Sequence, residues 1–110
     1  MSAAPIPILV PPKDLTHKTL GPFEGEVAPL RDGDGPGLVL DLSDVNFINS
    51  TGLGFLVHLG KDLGESGRRL ALAGASRRVD RLIRMVGLGN MLPLFKSVPE
   101  ATRYVGQARK

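Results

Sequence analysis

Between Leu38 and Leu63 the spacing of apolar residues changes period. Leu38-Val39-Leu40-Asp41-Leu42 is an almost unbroken apolar run that Val45 and Phe47 continue, whereas from Ser50 onward Leu53, Leu56 or Val57, Leu59 and Leu63 recur at helical spacing until Gly67. A strand that is apolar at consecutive positions has two faces to bury, which places it inside a sheet rather than at its edge. The joint between strand and helix is Asn49-Ser50-Thr51-Gly52. Unpaired backbone N–H groups in a first helical turn, together with the helix dipole, favour an anion, so Ser50 is either the cap of this helix or a place for a phosphate.

The flanking segments extend the same alternation. Ile6 to Val10 is a short apolar strand among Pro5, Pro7, Pro11 and Pro12, and prolines confine it to an edge. Leu15, Leu20, Phe23, Val27 and Leu30 follow near helical spacing, with Asp14 or Thr16 as the expected cap and Gly21-Pro22 starting, breaking or kinking the helix. Gly33 to Gly37 is a turn cluster. Leu70 to Ala73 is a further strand; Ser76 then caps a helix whose Val79, Leu82, Ile83 and Val86 point inward until Gly87. Met91 to Phe95 is a last short strand, and Ser97-Val98-Pro99-Glu100 has capping-box spacing ahead of a helix through Ala101 and Val105. Strands separated by helices imply βαβ crossovers and a mostly parallel sheet. The 110 residues suit one core, so residues 1–110 are expected to be a single α/β domain.

Catalytic constellations are absent from the pattern. Without cysteine there is no thiol chemistry, disulfide or thiolate metal site. His17 and His58 lack partners at metal-ligand spacing, and His58 lies about 12 Å along the helix from Ser50, outside any Gly-x-Ser-x-Gly elbow. Gly52-Leu53-Gly54 begins a G-x-G-x-x-G, but Val57 occupies the third glycine position. Small residues there let the helix start close to the sheet. The expectation is therefore a protein that is not an enzyme and has no cofactor and no metal. No run approaches the ~20 apolar residues of a membrane span, and Met1 to Ala4 carries no basic residue of a signal peptide, so a cytoplasmic protein is expected.

Charge is divided between the two halves of the chain. Residues 1–65 hold four Lys or Arg against nine Asp or Glu, net −5, and residues 66–110 hold ten against two, net +8. Nucleic acid is disfavoured as a partner because the chain has no Trp, one Tyr and four Phe, too few aromatics for base stacking. Arg77, Arg81 and Arg84 share a helical face, joined by Arg78 and, if the fold brings them near, by Arg68 and Arg69. That face is either merely solvated, a docking surface for an acidic partner or a groove for phosphates.

Together, Leu38-Val39-Leu40-Asp41-Leu42, Asp44-Val45-Asn46-Phe47-Ile48-Asn49-Ser50-Thr51-Gly52-Leu53-Gly54, Arg69-Leu70-Ala71-Leu72, Val79, Leu82 and Val86-Gly87-Leu88 resemble STAS domains of the anti-sigma factor antagonist family, with the best match over residues 38–105. The resemblance implies a mixed, mostly parallel four- or five-stranded sheet with helices packed on one side. It also implies phosphorylation of Ser50, with Thr51 as second choice. By the same resemblance the unphosphorylated protein binds an anti-sigma factor, typically a serine kinase of the histidine-kinase-like ATPase type. Phosphorylation blocks that binding and a serine phosphatase restores it. The expected partner-binding residues are Lys13, Asp14, Thr16, Asn49, Ser50, Thr51, Gly52, Leu53, Arg77, Arg81 and Arg84, on a monomer or weak homodimer. The family usually has Asp where this chain has Asn49, and two strands before its first helix where only Ile6 to Val10 is evident here. Two other roles compete: a STAS subunit held without phosphorylation in a larger assembly, such as a lipid-transport complex or signalling scaffold, and a small nucleotide-sensing module.

Overall fold

Val39 and its neighbours Leu38 and Leu40 are fully buried on opposite sides of one sheet, and that double burial organises the molecule. A computed structural model describes residues 6–86 and 92–107. In chain order the elements are β1 (Ile8–Leu9), β2 (Asp14–Leu15), α1 (Leu20–Arg31), β3 (Gly37–Asp41), β4 (Phe47–Ile48), α2 (Ser50–Glu65), β5 (Arg69–Ala73), α3 (Arg77–Met85), β6 (Leu94–Phe95) and α4 (Val98–Gly106). The four-stranded sheet has the order β1-β3-β5-β6 with parallel pairings throughout. β2 and β4 form a separate parallel pair, Asp14 opposite Phe47 and Leu15 opposite Ile48. The α/β architecture and the proline-bracketed edge strand are as expected, and Met91 and Gly87 lie outside the described residues.

Alternation along β3 and β5 sorts the core into two layers. Leu38, Leu40, Leu70 and Leu72 meet Phe23 and Val27 of α1, Leu56, Leu59 and Leu63 of α2, and Val79 and Ile83 of α3. On the reverse face Val39, Ala71 and Ala73 meet Ala101 and Val105 of α4. Helices on one side thus describes α1 to α3, while α4 covers the second apolar face that the run Leu38 to Leu40 and the small alanines of β5 create. Arg69 anchors α4 by donating to the Tyr104 carbonyl at 2.9 Å with its guanidinium 4.4 Å from the Tyr104 ring centre.

Several expected boundaries move for local reasons. Thr19, not Asp14 or Thr16, precedes α1, and Gly21-Pro22 falls in its first turn, where a missing N–H leaves no helical bond unmade. Asp14 is instead in β2, so two strands precede the first helix. Val45 and Phe47 do not prolong β3: Val45 donates to the Leu42 carbonyl in a turn, and Phe47 starts β4. Val86 caps the end of α3 and is exposed rather than inward. Gly67, in the left-handed region at φ 73°, ends α2 as expected. Its N–H meets the Gly64 carbonyl and the Arg68 N–H the Leu63 carbonyl, the paired bonds of a Schellman motif.

Candidate functional site

The corner between β4 and α2 is stitched to β2 by backbone groups. The Lys13 carbonyl accepts from the N–H of Asn46 at 2.7 Å and of Phe47 at 3.3 Å, and the Leu15 carbonyl accepts from Asn49 at 3.3 Å. Leu15 and Ile48 face the core, leaving Lys13, Asp14 and Phe47 exposed side by side. Gly52 is buried where α2 starts, and a Cβ there would lie 2.2 Å from the Leu15 carbonyl oxygen, whereas Gly54 has open space. The close helix start therefore needs a glycine at position 52 alone.

Asn49, not Ser50, is the cap. Its Oδ1 accepts from the Gly52 N–H at 3.0 Å, and its carbonyl accepts from Leu53 at 2.9 Å. Ser50 becomes the first helical residue, exposed, with Thr51 exposed beside it and no acidic residue in the turn. Its hydroxyl thus has no capping duty, and it stands where the helix dipole favours negative charge. Leu53 is half-buried against the core. Thr16 is half-buried too and shapes the turn before α1, its hydroxyl accepting from the Lys18 N–H at 3.2 Å and its carbonyl from Thr19 and Leu20.

The basic face of α3 reaches the same region. Arg77, Arg81 and Arg84 line one shallow surface with Asp80 and Met85, and Arg84 is tied to Asp80 at 2.6 Å. Phe47 closes an adjoining depression with Arg77, Arg78, Arg81, Leu82 and Met85. Arg68 and Arg69 do not extend this surface. Arg68 is buried and donates to the carbonyls of Leu30, Arg31, Asp34 and Gly35, and Arg69 holds α4. Phe47 was not among the expected contact residues, although Phe47-Ile48 in a strand can present only one side chain to the core.

Elsewhere, Arg31 at the end of α1 has its pKa raised chiefly by its hydrogen bond to Glu24 and next by that to Asp32. His17 and His58 are exposed, and among the described residues no group of three or more His, Cys, Asp or Glu is placed to hold a metal ion. No helix among them is long and apolar enough to cross a membrane.

Comparison with known proteins agrees with this fold. The STAS domain family model matches residues 5–101. The anti-sigma-B factor antagonist of Staphylococcus aureus (strain NCTC 8325 / PS 47) is 30% identical over 79 residues, covering 72% of this chain and 73% of the relative. The crystal structure of a candidate anti-sigma factor antagonist from Thermotoga maritima superposes with a TM-score of 0.78 at 25% identity, covering 89% of this chain and 86% of that one. An anti-sigma-factor antagonist (STAS) domain protein from Planctomyces limnophilus shares the fold at a TM-score of 0.81 and 18% identity, over 93% and 92% of the two chains. The matched residues span the corner between β4 and α2, and the chain belongs to the STAS domain family.

Proposed function

We propose that this chain is an anti-sigma factor antagonist that works by partner switching at the start of α2. The unphosphorylated protein binds an anti-sigma factor that is also a serine kinase, which releases the sigma factor. Phosphorylation of Ser50 dissociates the pair, and a serine phosphatase resets it. The observation that carries this reading is the exposed Ser50 hydroxyl at the first position of α2, left free because Asn49 supplies the cap. The antagonist names of the relatives support it.

A phosphate on Ser50 brings a charge of about −1.5 to −2, which the helix N-terminus tolerates within the domain. A partner surface packed over Ser50, Asp14 and Phe47 meets that charge as desolvation and repulsion. No rearrangement of the fold is needed, because the change is local to the interface.

The test is intact mass of the full chain after incubation with ATP and each candidate anti-sigma kinase of the same organism. One added phosphate, lost in Ser50→Ala, is expected, and Ser50→Asp should weaken binding of that kinase about tenfold or more. Undiminished phosphorylation of Ser50→Ala would move the site to Thr51, and unchanged binding by Ser50→Asp would remove the switch.

A further inference from the structure

We infer that the depression between Phe47 and α3 is a docking groove for an acidic amphipathic helix of a partner protein. The inference deepens the partner-binding reading above and rests on it for the partner's being a protein. Phe47 is 53% exposed and Met85 69%, although both are large apolar side chains, and half-buried Leu82 lines the same depression. Apolar groups left in water together mark a contact surface more often than scattered ones do. Around them stand Arg77, Arg78 and Arg81, none of which has an ion pair among the described residues; Arg84 is the one basic residue of α3 already held, by Asp80.

An apolar floor with a cationic rim selects a ligand of matching layout. Aliphatic side chains at i, i+3 or i+4 and i+7 of a helix would fill the floor, and flanking carboxylates would reach the guanidinium forks. Arg77, Arg81 and Met85 recur every four residues along α3, so the groove runs for two turns, about 12 Å, the length over which a second helix presents such anchors. Nucleic acid would use the arginines but finds one aromatic where stacking of successive bases needs several. The groove shares Phe47 with the Ser50 corner, so one partner can cover both.

The test titrates the full unphosphorylated chain with a fluorescein-labelled, stapled helical peptide carrying leucines at i, i+3, i+4 and i+7 between glutamates. A peptide of the same composition with the leucines scrambled, a single-stranded thymidine oligonucleotide and phosphatidylglycerol vesicles serve as competitors. The patterned peptide should bind about tenfold tighter than the scrambled one. Phe47→Ala and Arg81→Glu should each weaken it about tenfold, with Arg81→Lys retaining most of the affinity and backbone dichroism unchanged. Methyl resonances of Leu82 and Met85 should shift on binding. Equal binding of the scrambled peptide, preferential binding of oligonucleotide or vesicles, or full affinity in both weakening variants would overturn the groove. Because the peptide needs neither kinase nor phosphate, retained peptide binding with a failed Ser50 switch would overturn the switch alone.

Discussion

Gly52 and Leu15 touch where α2 passes β2, with the site of a Gly52 Cβ only 2.2 Å from the Leu15 carbonyl oxygen. This contact holds together the two segments that carry Asp14 and Ser50, and since the nearest atom is backbone it cannot be relieved by turning a side chain. Gly52→Ala is expected to destabilise the fold by about 2 kcal/mol, read from urea unfolding. Gly54→Ala, one turn position away with open space at its Cβ, should instead stabilise by up to about 1 kcal/mol through helix propensity. The opposite signs separate close approach from a general tolerance of this helix for alanine.

Arg68 is a buried clamp and its loss should be felt globally. Its guanidinium donates at 2.9 Å to Gly35, 2.7 Å to Arg31, 2.8 Å to Leu30 and 3.2 Å to Asp34, so it satisfies end-of-helix carbonyls of α1 and ties down the turn before β3. Arg68→Ala removes the donor to the Leu30, Arg31 and Asp34 carbonyls and is expected to cost about 3 kcal/mol, lowering the melting temperature by roughly 10–15 °C in a scanning-calorimetry experiment. Arg68→Lys should recover less than half, because an ammonium lacks the planar fork.

Legibility in the sequence tracked how local each feature is. The run Leu38 to Leu40 announced a strand buried on both faces, and Ser76 and Ser97 announced caps that are present, their hydroxyls accepting from Val79 at 3.2 Å and Glu100 at 3.4 Å. Each of these depends on residues within a turn or a strand. Strand β2 is not legible because two residues after Pro11-Pro12 have no period to display, and their partner β4 lies more than thirty residues on. Arg68 read as one more surface cation because the carbonyls that hold it are 33 to 38 residues away. At the candidate site, Ser50 and its neighbours were legible from the break in period, but the division of labour between Asn49 and Ser50 was not. Either side chain can cap, and one residue of register decides.

That division makes Asn49 the residue at which stability and phosphorylation can be separated. Asn49→Ala removes the 3.0 Å bond to the Gly52 N–H and should cost about 1 kcal/mol. Asn49→Asp keeps the acceptor and places a full negative charge at the start of α2, where the first turn has none, and should add about 0.5 kcal/mol. A carboxylate stabilised in this way has a folded pKa below its unfolded value of about 3.9, so the gain is present above that pH and is lost as pH falls through the lower folded value. Denaturant titrations at neutral pH and at about pH 3 should therefore differ for Asn49→Asp by more than for the parent chain. The same charge would stand next to a phosphate on Ser50. Phosphorylation should then raise the melting temperature of Asn49→Asp relative to its unmodified form by less than it raises that of the parent, as a thermal-shift comparison of the four species would read. An equal effect in both backgrounds would mean that the phosphate leaves the helix start and is held elsewhere.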